Sequence, residues 1–435
     1  METASKNWVR LDNAAKIYPA ASTRKWSACF RFSANLREDI EPQLLQKALL
    51  RLQPRFPVFF MHLRKGLFWY YLEQSDRCPL VEKDRPYPCS PLTPKRNGGF
   101  SFRVLYYGKR IAAEFFHVIA DGFGGLCFFK TLVAEYLTLK YGLSIPRDQD
   151  ILDCEQPPRA EEMEDSFLRY AGDVAVSRSE SSAYHLSGDR ESNGFIHITT
   201  GLLNAPAVLA KAKEYKTSVN NLLVAVMIQA LLHLEKREGL SRRRQQPVKI
   251  CVPINLRNTF PSRTLRNFSS FINPGVDPRL GEYSLEEIIA AVYHYMGANA
   301  SRQLLGARFS SNVISERQPA LRLAPLFLKD LVLRLAFISW GDTKSSTTIT
   351  NIGVVRLPSE MSAYVERMEL VLGPLNVNPV CCAVLTYNDV LCFNMVRTIK
   401  DPGLEREFFT RLVKLGLSVK IESNYRKDEE ACPIV

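Results

Sequence analysis

His117 is the residue of this sequence best placed to do acid–base chemistry. It directly follows an apolar run, Asp121 lies four residues further on, and glycines stand at positions 122, 124 and 125. An imidazole titrates near neutral pH, so it can take up a proton without special tuning. Glycines leave room either for a ligand or for a closely packed helix. We therefore interpret this stretch as presenting His117 at the mouth of a cavity, with a buried structural histidine beside a capping aspartate as the alternative.

The elements on either side of His117 are predicted to be a strand hairpin and a helix. Residues 100–116 read as two strands joined by a tight turn, and the second strand leads into His117. Residues 126–141 have the apolar periodicity of a helix. If the chain between His117 and Asp121 were helical, the two side chains would share a face. The strand and the glycines disfavour that helix, so Asp121 is expected to turn away and to brace the turn through an arginine.

The mixture of strands and helices occurs twice along the chain. Strands are predicted at residues 26–36, 58–63, 66–72, 100–107, 110–116, 195–200, 249–254, 267–276, 345–351, 365–372, 380–387 and 390–398. Helices are predicted at residues 40–53, 126–141, 166–172, 204–215, 218–237, 285–302, 303–340 with breaks at its two prolines, and 402–423. The last three strands are expected to form one antiparallel group. The pattern predicts an α/β (α+β) fold made of two halves.

A change in composition marks the connection between the halves. From about residue 144 to residue 194 the sequence becomes acidic, polar and poor in aliphatic residues. Such composition is typical of a connection between domains. We predict a first half at residues 1–150, a crossover linker at 151–194 and a second half at 195–435. The last dozen residues are expected to be disordered.

Net charge and apolar runs limit the classes of partner. The formal net charge is +12, but residues 242–244 form the only tight basic run, and no nucleic-acid motif is present. We attribute the charge to the general surface or to an anionic small-molecule partner, such as a coenzyme carrying phosphates. No apolar signal core and no apolar run of about 18 residues occurs. We therefore expect a cytoplasmic protein without a nucleic-acid partner.

Cysteine and histidine spacing predicts no metal site. The ten cysteines include no CxxC pair, and Cys381 and Cys382 are adjacent, which suits neither zinc nor a typical disulfide. The five histidines other than His117 are isolated from one another. We predict reduced cysteines in the core, no metal and no permanently bound cofactor.

The segment from His117 to Gly122, HVIADG, resembles the HxxxDG motif of coenzyme-A-dependent acyltransferases. This HxxxD superfamily includes chloramphenicol acetyltransferase, the plant BAHD acyltransferases and the condensation domains of peptide synthetases. The motif follows a hairpin about a quarter of the way along the chain, where the superfamily carries it. Residues 8–19, WVRLDNAAKIYP, and residues 349–353, ITNIG, are similar to the bacterial alcohol acetyltransferase-like branch.

The resemblance implies a fold of two chloramphenicol-acetyltransferase-like halves with a central tunnel between them and His117 at its middle. It implies an acyltransferase that moves an acyl group, acetyl in the first place, from acyl-CoA to an alcohol or amine. His117 would act as general base, without a covalent intermediate. The implied partners are acyl-CoA as co-substrate and a small-molecule acceptor, and the protein is expected to be a monomer.

The resemblance also assigns supporting roles. Asp121 and Gly122 would hold the motif, and Arg257 is the expected partner of Asp121, with a surface loop charge as the alternative. An oxyanion needs a hydrogen-bond donor. Asn351 and Thr350, at the end of a predicted strand, are candidates for contacts with the oxyanion or the acceptor. An ordinary polar residue at the end of a strand is the alternative interpretation of Asn351.

Departures from the family pattern leave the donor and the acceptor open. Phe116 precedes the histidine, where condensation domains usually carry a second histidine, and the DFGWG loop of the plant enzymes is absent. These points favour a stand-alone acyltransferase. A condensation-type domain that uses carrier-protein-bound thioesters and a non-catalytic binding protein on the same scaffold are the alternatives. The amphipathic residues 321–338 are expected to form a core or lid helix, or else to line an acceptor channel or contact a membrane surface.

Overall fold

The structure, a computed structural model, describes residues 8–22, 26–92, 97–177, 179–337 and 341–424. In chain order the strands are β1 (Trp8–Arg10), β2 (Cys29–Leu36), β3 (His62–Lys65), β4 (Tyr70–Glu73), β5 (Glu82–Lys83), β6 (Phe102–Tyr107), β7 (Arg110–Phe116), β8 (His197–Asn204), β9 (Val248–Asn255), β10 (Ser269–Ile272), β11 (Gly275–Val276), β12 (Thr347–Val354), β13 (Val365–Leu372), β14 (Val380–Tyr387), β15 (Val390–Arg397) and β16 (Val419–Ser423). The helices are α1 (Ile17–Ala21), α2 (Pro42–Leu52), α3 (Gly122–Tyr141), α4 (Ala160–Met163), α5 (Ser166–Tyr170), α6 (Ala205–Glu214), α7 (Val219–Arg237), α8 (Leu285–Asn299), α9 (Arg302–Arg317), α10 (Pro319–Leu323), α11 (Leu326–Ala336), α12 (Ser359–Ser362) and α13 (Gly403–Lys414). The predicted mixed α/β fold is confirmed.

The first sheet carries the strand that leads into the site. Its order is β13-β2-β7-β6-β5, and β6 and β7 form the predicted hairpin. Helices α2 and α3 cover it through a core rich in aromatic rings, among them Phe30, Phe115 and Phe128. Burying such large apolar side chains is the main favourable term in folding, so the end of β7 lies on a rigid base.

The second sheet supplies the opposite side of the site. Its order is β10-β9-β12-β14-β15-β8-β16, with β11 pairing with β9. Strand β12 runs parallel to both β9 and β14, whereas β14 and β15 form an antiparallel hairpin. Helices α7, α8 and α13 contribute to the core on this sheet. A small third sheet, β1-β4-β3, completes the strands.

One strand of the second half belongs to the first sheet. The expectation that residues 365–372 pair with the two strands that follow is wrong, because β13 pairs antiparallel with β2 instead. Val365, Met368 and Leu370 of β13 are buried in the core of the first sheet. The apolar alternation of a strand predicts a buried face but not the sheet edge that accepts it. The boundaries at residues 150 and 194 remain a prediction.

Strand β14 separates the two cores. Its odd-numbered residues, from Cys381 to Tyr387, belong to the core of the first sheet, while Val380, Cys382 and Val384 belong to that of the second. Because successive side chains of a strand point to opposite faces, the adjacent cysteines Cys381 and Cys382 face different cores. The nine cysteines in the described part of the chain are free thiols.

Two helix boundaries differ markedly from the predicted ones. Helix α3 begins at Gly122 and not at residue 126, because Asp121 caps it by accepting a hydrogen bond from the Gly124 amide at 3.2 Å. Helix α13 ends at Lys414 and does not continue to residue 423. Gly416 has a φ of +85° there, and residues 419–423 form β16 against β8. The predicted disordered tail lies outside the described residues.

Within the described residues, no single helix is long and apolar enough to cross a bilayer. Helices α6 and α7 pass that test only as a pair, and they are bent by 79° relative to each other.

Candidate active site

His117 lies in the turn between β7 and α3. Its amide donates to the Ala28 carbonyl at 3.0 Å, so the turn is tied to the start of β2. Its carbonyl accepts from the Asn267 side chain at 2.8 Å, which ties the same turn to the second half. The backbone of His117 is thus fixed from both halves of the chain.

The imidazole of His117 contacts two aromatic rings. The Tyr18 ring stacks on it at a centroid distance of 5.0 Å, and the Phe30 ring contacts it at 4.6 Å. The residue is partly exposed, but its Nδ1 atom is buried and has no hydrogen-bond partner among the described residues. Because the residue is partly exposed while Nδ1 is buried, Nε2 is the candidate nitrogen for contact with a substrate.

The surroundings of His117 favour the neutral imidazole. Burial lowers its pKa from the ordinary value of 6.5, and the Asp121 carboxylate only partly offsets this effect. A neutral imidazole has a free lone pair for a proton, which a general base needs at neutral pH.

Asp121 is occupied by partners other than His117. Besides capping α3, its carboxylate accepts from Arg257 Nη1 at 2.7 Å and from the Phe268 amide at 2.8 Å. Both side chains of the ion pair are almost fully buried. The expected ion pair between Asp121 and Arg257 is thus present, and the carboxylate joins the start of α3 to the second half.

Arg257 organises the loop that precedes β10. Its guanidinium donates to the carbonyl of Thr264 from both Nε and Nη2, at 3.0 and 2.8 Å, and to the carbonyl of Arg266 at 2.6 Å. It also stacks over the Phe123 ring, 4.6 Å from the centroid. A charge held by this many acceptors can remain buried. The alternative interpretation of Arg257 as an exposed surface charge is therefore wrong.

The three glycines allow close approach of other elements. A Cβ atom at Gly122 would lie 2.9 Å from the Ile352 side chain of β12, so the two halves touch beside the histidine. A Cβ atom at Gly124 would lie 1.9 Å from the Leu265 carbonyl oxygen, and one at Gly125 would lie 2.6 Å from the Phe30 ring. Gly124 and Gly125 thus allow α3 to pack closely against Leu265 and Phe30, whereas Gly122 lies where the two halves meet.

A second buried polar group supports the turn and was not predicted. The Asp12 carboxylate accepts from Asn267 Nδ2 at 3.1 Å and from the Ala15 amide at 2.8 Å. Arg266 lies 3.7 Å away, and complete burial raises the pKa of Asp12 to about 6. Because Asn267 also holds the His117 carbonyl, the opening segment of the chain reaches the site through one amide side chain.

Tyr18 and Asn267 carried no signal of their own in the sequence. The only pointer was the familiar opening segment that contains Asp12 and Tyr18.

Asn351 and Thr350 lie on β12, one or two residues before Ile352. The Asn351 side-chain oxygen accepts from the Gly353 amide at 2.8 Å, and its Nδ2 has a long contact of 3.4 Å with Asn220. The side-chain oxygen is thus bonded within β12, and Nδ2 retains one hydrogen beyond the Asn220 contact as an available donor. Both residues are partly exposed. Neither has a described contact with His117, so their roles remain predictions.

Among the described residues, no three His, Cys, Asp or Glu side chains lie close enough together to hold a metal ion.

The fold is shared with proteins of known structure. Trichothecene 15-O-acetyltransferase TRI3 from Fusarium sporotrichioides matches with a TM-score of 0.61 and 11% identity, over 94% of this chain and 94% of that one. Polyketide synthase associated protein 5 from Mycobacterium tuberculosis matches with a TM-score of 0.59 and 14% identity, over 94% and 97%. The first condensation domain of the CDA synthetase matches with a TM-score of 0.59 and 14% identity, over 95% and 97%.

At these identities the likeness establishes the fold. No sequence model of a protein family matches the chain, and neither does any curated protein sequence. The fold that the resemblance implied is confirmed, because the chain shares it with an acetyltransferase and with a condensation domain. The tunnel between the lobes remains a prediction.

Proposed function

We propose that this protein is an acyltransferase that moves an acyl group from acyl-CoA to the hydroxyl or amine of a small-molecule acceptor. The observation that carries the proposal is a histidine in contact with two aromatic rings, placed where the two halves meet. The shared fold with an acetyltransferase and with condensation domains supports the same class of chemistry. We further propose that the protein is a cytoplasmic monomer without a permanently bound cofactor.

In the proposed mechanism, His117 takes the proton of the acceptor. Nε2 accepts it as the acceptor oxygen or nitrogen attacks the thioester carbonyl, which forms a tetrahedral intermediate. The carbon–sulfur bond then breaks, and the imidazolium returns its proton to the leaving thiolate. The acyl group passes directly to the acceptor, so no acyl-enzyme forms.

Asp121 is proposed to act as a positioning residue and not as a proton relay. Its carboxylate is engaged by Arg257 and by two backbone amides. It therefore holds the start of α3, and with it the turn that carries His117. The intermediate also needs a donor for its oxyanion. The Asn351 amide, the Thr350 hydroxyl and the Gly122 backbone amide are the proposed candidates.

The test is thiol release from acyl-CoA donors in the presence of pooled alcohols and amines. His117→Ala should reduce the rate by about 10²–10⁴-fold, the usual contribution of a general base. His294→Ala is the matched control, because His294 is exposed on α8, and it should leave the rate unchanged. Circular dichroism and urea unfolding establish that both variants are folded. A folded His117→Ala protein with the full rate would exclude the mechanism.

A condensation-type reaction is the second candidate, supported by the likeness to condensation domains. The same assay with the acyl group on a carrier-protein phosphopantetheine thiol separates the two. Turnover with the carrier-bound donor and none with acyl-CoA would select the condensation-type reaction.

A further inference from the structure

Helix α11 turns its apolar residues toward solvent. The exposed fractions are 66% for Phe327, 45% for Leu328, 56% for Leu331, 59% for Val332 and 56% for Leu335. Their spacing places these residues along one face of the helix. In a helix that only covers a core, this face would be directed inward.

Two polar residues of the same helix, Lys329 and Asp330, face the protein. Lys329 Nζ donates to the Phe68 carbonyl at 2.8 Å, and the Tyr70 hydroxyl donates to Asp330 at 2.9 Å. Lys65 lies 3.4 Å from the same carboxylate. These contacts fix the rotation of α11 about its axis, so the apolar residues cannot turn inward without breaking them. The outward apolar face is therefore a fixed property of the fold.

The exposed apolar surface extends beyond α11. Helix α10 adds Leu321 and Leu323, which are 43% and 73% exposed, and the turn between β3 and β4 adds Leu67 and Trp69, which are 74% and 45% exposed. The Leu326 amide donates to the Leu67 carbonyl at 2.9 Å, so the turn and the helix are in contact. We call this surface the apolar face; it consists of Leu67, Trp69, Leu321, Leu323, Phe327, Leu328, Leu331, Val332 and Leu335. A contiguous surface of this kind indicates an interaction site.

The charges on α10 and α11 distinguish between two possible partners of the apolar face, a second copy of the chain and an anionic lipid surface. Arg322 and Arg334 are exposed, whereas Asp330 is directed inward and bonded to Tyr70. These two helices thus add only positive charge to the apolar face. A second copy related by two-fold symmetry would add two more arginines to the interface and no acidic partner from these helices. An anionic surface with an apolar interior complements both the charge and the hydrophobicity.

We propose that the apolar face docks the protein on a lipid bilayer that contains anionic headgroups. The outward leucines, Phe327 and Trp69 would enter the boundary between headgroups and acyl chains, and Arg322 and Arg334 would pair with the headgroups. This binding does not depend on the catalytic proposal.

The apolar face adjoins the candidate active site. Phe337, directly after α11, stacks on Trp26 at 4.3 Å, and Trp26 lies 6.3 Å from Tyr18, which stacks on His117. A docked protein would therefore hold its histidine close to the lipid surface.

The test is co-sedimentation with phosphatidylcholine vesicles, with and without phosphatidylglycerol. The wild-type protein should bind the vesicles with phosphatidylglycerol and bind those without it much more weakly. The double variant Phe327→Ser/Leu331→Ser should bind about tenfold more weakly, and so should Arg322→Gln/Arg334→Gln. All four side chains are exposed, so both variants should fold.

Two control variants distinguish binding through the apolar face from non-specific hydrophobic or electrostatic binding. Leu280→Ser removes a leucine that is 79% exposed outside the apolar face, and Arg242→Gln/Arg244→Gln neutralises part of the tight basic run. Both should bind like the wild-type protein. Wild-type protein that stays in the supernatant, or controls that lose binding equally, would overturn the proposal. So would a concentration-dependent dimer in light scattering that Phe327→Ser/Leu331→Ser abolishes, because the face would then belong to a second copy.

Discussion

His117 should remain neutral at pH values where an ordinary histidine is already charged. Burial lowers its pKa below 6.5, so the basic form persists as the pH falls through that value. The acid limb of the pH profile of kcat/KM for acyl transfer should therefore have its midpoint below pH 6.5. A midpoint at or above 6.5, measured with an acceptor that does not itself titrate in this range, would contradict the assignment of His117 as the base.

Removing the charge of Asp121 should destabilise the protein strongly. Asp121→Asn leaves the Arg257 guanidinium buried without its counter-charge, and breaking a buried pair costs about 3–5 kcal/mol. Urea unfolding measures this loss in the free energy of unfolding.

The partly exposed pair of Arg279 and Asp277 is the matched control for this experiment. Arg279→Gln should change the free energy of unfolding by less than about 1 kcal/mol. Equal stability of Asp121→Asn and wild-type protein would show that the pair does not brace the turn.

At the residue scale, the sequence identified candidate site residues that lie close together along the chain. His117, Asp121 and the glycines stand in one short segment, so their spacing was informative. The contacts from Tyr18 and Asn267 come from positions far along the chain, and nothing in the local pattern of either residue predicted them. Such contacts follow from packing.

At the scale of elements, the start of α3 depends on the absence of side chains. Gly124→Ala would place a Cβ atom 1.9 Å from the Leu265 carbonyl oxygen, a backbone atom that cannot move without shifting its loop. We expect a loss of about 3 kcal/mol or more in the free energy of unfolding, at the upper end of the range for overpacked cores.

Gly297→Ala in helix α8 is the control for Gly124→Ala. A Cβ atom there would meet nothing within 4 Å, and its φ is not positive. Gly297→Ala should therefore stabilise the protein by about 0.5–1 kcal/mol, as expected from helix propensity. If both substitutions stabilised the protein to a similar degree, the close approach of the Leu265 loop would be disproved.

The periodicity of helix α11 did not determine whether its apolar face is buried or exposed. The pattern of residues 321–338 predicted an amphipathic helix, and the helical breaks at Pro319 and Pro325 are confirmed. A pattern of this kind defines an apolar face without saying what covers it. The inward contacts of Lys329 and Asp330 decided that the face points to solvent.

At the scale of the whole molecule, the two halves depend on each other. Strand β13 covers the edge of β2 in the first sheet, and its side chains complete that core. A fragment of residues 1–194 would therefore lack an edge strand and expose both backbone groups and apolar surface. We expect this fragment to be insoluble or to unfold without a cooperative transition in urea.

Co-expression of residues 195–435 with this fragment should restore a soluble complex, because it supplies β13 and the loop that carries Arg257. A fragment 1–194 that unfolds cooperatively on its own would instead establish that the first half is an independent domain.

The sequence by itself determined the fold class, most strands and helices, and the position of the histidine, because each depends on periodicity or on residues close together in the chain. The expected ion pair of Asp121 with Arg257 rested on a resemblance, which the fold supports. Only the tertiary structure decided which sheet receives β13, which rings contact His117 and which face of α11 is exposed to solvent. These features depend on contacts between distant segments, and a strand or helix pattern specifies what is buried but not what buries it.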